Sequence, residues 1–190
     1  MDLQGETKMF YSILKVDEVE IGFVWSSIVK KTLIERIYLP NSRENLLGKI
    51  FRDFPAITSK QRVVNGGISQ AITDLYKGRE RYFDFTLLNF SPLTEFARCV
   101  LLKTCKIPHG RVATYSDLAA AAGHPRACRA VGTIMANNPF PIVIPCHRVI
   151  RSDGNPGQFG GGCAMKRRLL EKEGVFFAPS GMVLSKYLIF

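Results

Sequence analysis

From Met9 to Leu39 β-branched and aromatic residues dominate, and charged residues interrupt them singly or in pairs. The runs Phe10–Leu14, Glu20–Trp25 and Thr32–Tyr38 therefore read as three short strands. Asp17-Glu18 and Lys30-Lys31 supply the turns between them, and Pro40-Asn41-Ser42 closes the third strand. The apolar period then lengthens. One helical pattern runs near Glu44–Asp53 and another over about Ser69–Tyr76, where Ile72 and Leu75 share a face. This half predicts a small antiparallel sheet with helices on it.

Asn89, Ser91 and Pro92 break the pattern, so a domain boundary is expected there, with residues 1–90 forming a sheet-and-helix domain and 91–190 a mainly helical one. The fold class is α/β in the broad sense, α+β in organisation. In the second half a helix is expected over about 93–105, with Phe96, Val100 and Leu101 spaced for one face, followed by a turn at Pro108-His109-Gly110. A helix after Tyr115, N-capped by Ser116, ends at Gly123, which suits the left-handed position after a helix. Pro125 suits the first turn of a second helix that runs to about Asn137. Two short helices around a glycine turn outline a helix-turn-helix. On the second helix Ala127, Val131 and Ile134 share one face, and Arg126, Arg129 and Thr133 share the other. One side can pack while the other faces a partner. The closing residues Ala178–Phe190 are apolar and fit a segment that pairs with a sheet.

Composition narrows the class of protein. At 46% hydrophobic and 22% charged residues, the 190-residue chain is an ordinary globular one. Five cysteines without a CxxC pair suit a reducing compartment, and three scattered histidines make no zinc pattern, so neither metal nor cofactor is expected. With no signal-like segment and no apolar run long enough to span a bilayer, the expectation is a soluble cytoplasmic protein, nuclear in a eukaryote, without a membrane partner. The formal charge of +10 is uneven. Residues 1–98 carry 14 basic and 12 acidic side chains, net +2, whereas residues 99–190 carry 12 and 4, net +8. A positive field of this kind attracts phosphate backbones, although a solvated basic face is equally common.

The basic half also carries the strongest chemical signal, Pro145-Cys146-His147-Arg148-Val149, at the end of the apolar run Pro141–Ile144. A thiol attacks as thiolate, so a reactive cysteine needs a proton acceptor or cation beside it. Cys146 has both as sequence neighbours, though a buried core cysteine ending a strand is the bland alternative. In an extended chain adjacent side chains point to opposite sides, so His147 would act on Cys146 through a bridging water. The segment after it is rich in glycine, with Gly160-Gly161-Gly162 following Phe159, which suits a flexible loop or a backbone that approaches a ligand closely. It is not a phosphate loop, because Lys166 lies too far on and no Ser or Thr follows it. A helix over about Ala164–Lys172 ends at Glu173. The macrodipole disfavours an anion at that end, so Glu173 needs a compensating partner, and His147 is the candidate. A carboxylate that orients a histidine, which activates a nucleophile, is the logic of a catalytic triad.

Several blocks match one family in order and spacing: Gly110–Ala119, Arg129-Ala130-Val131-Gly132, Asn138-Pro139, Ile144–Ile150, Gly161-Gly162 and Leu169–Gly174. Over about Phe96 to Gly174 the chain resembles the O6-alkylguanine-DNA alkyltransferases, and its first 90 residues resemble them only in strand-rich layout. The resemblance implies an irreversible transfer of the alkyl group, mainly methyl, from guanine O6 in duplex DNA to Cys146, once per molecule and after base flipping. His147, held by Glu173, would help form the thiolate. Tyr115 would serve guanine N3 as charge leaves on the base. Arg129 would fill the space of the extruded nucleotide, with Arg126, Ala130, Gly132 and Thr133 on the same DNA-facing helix. Met135, Asn138, Pro141, Val149, Phe159 and Gly160 would form the base pocket, with Asn138 bracing the turn before the thiol segment. Phe159 stands where many members have Tyr, and Gly160 replaces a larger residue of some relatives, which implies a more open lid and room for bulkier alkyl groups. The partner would be double-stranded DNA carrying O6-alkylguanine, bound by a monomer. The alternatives are a lesion-binding protein without transfer, a helix-turn-helix transcription factor and a cysteine hydrolase. The sensor relatives lack the nucleophile, no dimerisation heptad is visible, and no oxyanion site is evident.

Overall fold

The computed structural model describes residues 7–28, 31–41, 44–57, 59–61 and 66–189. Lys30 of the expected second turn and Ser42 of the third lie outside them. The three strands are β1 (Lys8–Val16), β2 (Val19–Ile28) and β3 (Lys31–Tyr38), in one antiparallel sheet of that order. The β1–β2 turn is Asp17-Glu18, with Asp17 in the left-handed region at φ 53°, as tight hairpin turns require. The strands are longer than their apolar runs because central β2 is buried on both faces. Ile21, Phe23 and Trp25 face the main core, while Val24 faces helix α1 (Leu46–Asp53) on the other side. Gly22 permits that contact, since a Cβ there would lie 3.1 Å from Ile50 Cδ1. Helix α2 (Gly66–Tyr76) begins three residues before its expected start and sends Ile68, Ile72 and Tyr76 into the main core.

The second half opens with α3 (Glu95–Thr104), capped by Thr94, whose side chain accepts from Ala97 N–H. Strand β4 (Ala113–Thr114) leads straight into α4 (Tyr115–Ala121), and α5 (Cys128–Ala136) follows. The cap of α4 is Thr114, not Ser116: Thr114 accepts from Asp117 N–H while Asp117 accepts from Thr114 N–H, a reciprocal box that Ser116 cannot form. Ser116 exchanges a hydrogen bond with Thr114 Oγ1 instead. Gly123 ends α4 at φ 81°, as expected. Pro125 lies in the turn rather than in the helix, because α5 begins only at Cys128, with Ala127 as an N-cap that offers no side-chain acceptor. Val131 and Met135 are the buried face of α5, whereas Arg126, Arg129, Ala130 and Thr133 are exposed.

The run Pro141–Ile144 is a turn closed on itself rather than a core strand. Ile142 has φ 75° while 2% exposed, a costly conformation for a β-branched side chain. Strand β5 (Val149–Ile150) pairs parallel with β4, and α6 (Cys163–Lys172) follows the glycine loop. The apolar tail pairs with Val112 beside β4: Val112 N–H donates to Tyr187 O and Ile189 N–H to Val112 O. One core cluster joins Phe23, Ile34 and Ile37 to Val100, Ile144 and Val149, and Ile37 N–H donates to Pro139 O at 2.8 Å. The third strand is thereby fixed against the turn that precedes the thiol. The molecule is the expected mixed α/β fold, a small antiparallel sheet with helices and a helical second half.

Candidate active site

Cys146-His147-Arg148 form a single 3-10 turn, all buried, so the extended geometry expected for the thiol does not occur. Asn138 fixes the approach to this turn from α5. Its amide donates to Ile144 O at 3.0 Å and its carbonyl accepts from Phe140 N–H at 3.0 Å. Backbone on both sides of the strained Ile142 is thus tied to one side chain.

Glu173, at the end of α6, is the hub below the thiol. Its Oε1 accepts from His147 Nε2 at 2.9 Å, and Arg148 donates to both its oxygens, Nε to Oε2 at 2.8 Å and Nη2 to Oε1 at 2.9 Å. Gly110 N–H adds a longer contact at 3.4 Å. Burial alone raises a carboxylic acid's pKa, but hydrogen bonds from His147 and Arg148 and the Arg148 charge outweigh it and bring Glu173 down to about 2. Arg148 is the permanent cation of this set. Burial pushes His147 in the other direction, below its ordinary value, so its ring is neutral at neutral pH. With the proton on Nε2, directed at Glu173, Nδ1 is a bare acceptor. That atom is fully buried and has no hydrogen-bond partner among the described residues. A buried imidazole nitrogen left as a free acceptor, on the residue that follows a thiol in the same 3-10 turn, can take a proton from it through a water.

The thiol itself is protonated at rest. Burial raises the Cys146 pKa, opposed by the Asn138 amide and the charge of Lys166. Lys166, 0% exposed on α6, donates to Val149 O at 2.6 Å and to Gln158 O at 3.5 Å, tying the strand after the thiol to the lid. Burial brings its pKa down to about 8. In the free protein, iodoacetamide at neutral pH is therefore expected to label the exposed Cys128 and Cys163 first and Cys146 slowly, with Cys146 labelling rising as pH rises. Peptide mapping by mass spectrometry measures the order; rapid neutral labelling of Cys146 would contradict a protonated resting thiol.

Cys146 opens into a cavity of about 180 Å³ lined with Tyr115, Gly132, Met135, Phe159 and Gly160. Burial and the neighbouring Cys146 raise the Tyr115 pKa, so its phenol remains a hydrogen-bond donor into this space. Gly157 beside it takes φ 75°, the left-handed region that favours glycine, and a Cβ there would make only an ordinary contact, 3.5 Å, with the Tyr115 hydroxyl. Phe159 meets the His147 ring edge-on, 6.4 Å between centroids. A second cavity of about 130 Å³ shares Met135, Cys146, Phe159 and Gly160 and adds Asn138 and Pro141. Val149 sits behind the thiol in the core. Arg129, Ala130 and Thr133 lie on the outer face of α5, whose inner side, at Gly132 and Met135, forms the cavity wall, whereas Arg126, expected on the same helix face, lies in the turn before α5 because the helix begins only at Cys128; none of the four reaches the thiol cavity. A third cavity of about 190 Å³ behind Arg148 contains Cys105, whose thiol burial pushes up to about 12, so it holds no ready nucleophile. Among the described residues no three His, Cys, Asp or Glu side chains gather as metal ligands, and no helix is long and apolar enough to cross a membrane.

Two residues of this machinery escaped the sequence reading. Arg148 was counted only as a cation beside the thiol, and nothing local marks it as the clamp on a carboxylate 25 positions on. Lys166 drew notice only for failing a phosphate-loop spacing. Its position on the same face of α6 as Leu169 and Leu170, by three- and four-residue spacing, is the signal that puts it inside.

Residues 95–175 match the family model described as 6-O-methylguanine DNA methyltransferase, DNA binding domain. The chain is 54% identical over 98 residues to a methylated-DNA–protein-cysteine methyltransferase of Methanothermobacter thermautotrophicus, a match covering 52% of this chain and 54% of that one. The chain thus spans about half the length of that relative. It is 35% identical over 128 residues to the protein of the same name from Methanosarcina barkeri, covering 67% of this chain and 80% of the relative. In three dimensions it resembles the O6-methylguanine-DNA methyltransferase of Pyrococcus kodakaraensis, with TM-score 0.66 and 27% identity over 88% of this chain and all of that one. The buried Cys-His-Glu arrangement behind a helix-turn-helix and these matches agree: the chain belongs to the methylated-DNA–protein-cysteine methyltransferase family.

Proposed function

We propose that the protein repairs duplex DNA by moving the alkyl group of O6-alkylguanine, mainly methyl, onto Cys146, irreversibly and once per molecule. The observation that carries this reading is the unpartnered His147 Nδ1, left an acceptor by the Nε2 bond to Glu173 and buried in the same 3-10 turn as Cys146. A water between Nδ1 and Sγ takes the thiol proton to His147 as substrate enters. The sulfur then bonds the alkyl carbon as that carbon's bond to O6 breaks, and the electron pair leaves on guanine. The Tyr115 hydroxyl donates to guanine N3, where that charge accumulates. The base reaches the cavity only after leaving the stack, since a buried thiol cannot approach O6 inside the duplex. The cavity lies behind the exposed Arg129–Thr133 face of α5, at Gly132 and Met135, so on this reading the helix that meets DNA is also the wall of the reaction chamber. On this reading Arg129 occupies the gap left in the duplex, Arg126 and Thr133 contact it, and Ala130 and Gly132 permit close approach. Met135, Asn138, Pro141, Val149, Phe159 and Gly160 frame the base. A monomer acting in the cytoplasm, or the nucleus of a eukaryote, without metal, belongs to the same proposal, as does a division of the chain near residue 90.

The test is intact-protein mass spectrometry after mixing with duplex DNA containing one O6-methylguanine. A gain of one methylene unit, mapped to Cys146 and missing in Cys146→Ser, is the expected result. Tight lesion binding with no gain would leave a damage sensor in its place.

A further inference from the structure

Cys146 lines two adjoining cavities that share Met135, Phe159 and Gly160; the base pocket proposed above takes in Tyr115 and Gly132 of one and reaches Asn138 and Pro141 of the other, short of its far end. The cavity with Tyr115 and Gly132 opens along the DNA-facing helix. The other, about 130 Å³, runs toward the first half of the chain, where Ile37, Tyr38, Leu39 and Lys49 form its end. That volume is about four water molecules at ~30 Å³ each. With the proposed base on the Tyr115 side and the sulfur at the O6-bound carbon, the far end of this second space is open to whatever extends beyond that carbon.

Its end carries a charge. Leu46, Lys49 and Ile50 form the buried face of α1, so helical spacing turns Lys49 inward, and it is 9% exposed. Its ammonium donates to Leu39 O at 2.7 Å, one bond for three donors. Among the described residues it has no ion-pair partner: Glu44, the nearby carboxylate, pairs with Arg52. A buried, incompletely satisfied cation favours an anion over a neutral group in the space it faces. The lid is attached to the same region, with Asn41 Nδ2 3.5 Å from Gly160 O.

We propose that Lys49 makes this cavity a subsite for O6-substituents that end in a carboxylate, the smallest being carboxymethyl. The inference rests on the alkyl transfer proposed above. The sulfur bonds the substituent's methylene carbon as its bond to O6 breaks, the electron pair goes to guanine, guanine takes up the proton that left the thiol, and Cys146 becomes S-carboxymethylcysteine. Lys49 is a specificity residue here: it touches the substituent's far end, not the bonds that change.

Single-turnover rates with duplexes carrying O6-methyl, O6-carboxymethyl or the neutral, similarly shaped O6-carbamoylmethylguanine test this in wild type, Lys49→Met and Lys49→Gln. Glutamine keeps a donor for Leu39 O and removes the charge, and thermal melts verify that each variant is folded. The expected result is a loss of about tenfold or more in carboxymethyl transfer, with methyl and carbamoylmethyl transfer nearly unchanged. Equal slowing of all three substrates, or an unchanged carboxymethyl rate in a folded variant, overturns the subsite. Absence of methyl transfer by wild type overturns the parent reading, and the subsite with it.

Discussion

Glu173→Ala is expected to lower folding stability by about 3–5 kcal/mol, the cost of leaving a buried charge without its partner. The charge left behind is Arg148, which makes two hydrogen bonds to Glu173 and a third from Nη1 to Ile107 O at 2.8 Å. Glu173→Gln keeps the volume and one acceptor but still strands the guanidinium, so it falls between wild type and alanine. Both variants also lose alkyl transfer, because His147 no longer has an anion to hold its proton on Nε2. Urea unfolding read against single-turnover transfer measures both. Full stability in Glu173→Ala would show that the hub does not hold the turn.

The same hub sets the pH dependence. Glu173 has a folded pKa of about 2 against an ordinary 4.5, so its contribution is complete above pH 4.5 and is lost as pH falls from there toward 2. At about 1.36 kcal/mol per unit this is on the order of 3 kcal/mol. His147 is depressed below its ordinary 6.5, so the unfolded chain binds a proton before the folded one does, and stability already begins to decline as pH drops below 6.5. Both slopes have the same sign. In Glu173→Ala the slope between pH 4.5 and 2 that belongs to Glu173 disappears.

What could be read from the residues depended on whether the physics was local. The three strands and the α6 helix with an acid at its unfavourable end follow from short-range pattern, and the macrodipole argument correctly demanded a partner for Glu173. It found His147 but not Arg148, because the pairing of residues 148 and 173 is made by the fold, with β5 and the lid between them. The cap of α4 was misplaced by two residues because Thr114 and Ser116 are equally good caps in isolation. Asp117, which completes the box only from Thr114, decides between them. The Pro141–Ile144 run leaves a core strand open as the bland alternative, because apolar residues look alike in a strand and in a buried turn. Only Asn138 and the left-handed Ile142 distinguish the two. Lys49 and Lys166 are easy to pass over for one reason: a lysine on a helix is normally a solvated one, so even the shared face of Lys166 with Leu169 and Leu170 is outweighed until the packing partners are known.

Arg129→Ala is expected to slow transfer from duplex DNA about a hundredfold while leaving folding intact, the few kcal/mol being those needed to hold a nucleotide out of the stack. The side chain is exposed on α5 and makes no ion pair among the described residues, so its removal disturbs nothing inside the protein. The reacting groups lie on the other side of the same helix, behind Gly132 and Met135, and remain in place. The loss should therefore depend on the substrate's structure, not on the chemistry. With O6-alkylguanine as a free base, which needs no extrusion, the variant should match wild type. Single-stranded DNA should fall between the two, since unstacking costs less there and the exposed Arg126 still meets the backbone. Rates that fall equally with duplex and free base would place Arg129 in the chemistry of the thiol, where this geometry does not put it. An unchanged duplex rate would mean that the exposed face of α5 is only a solvated basic surface.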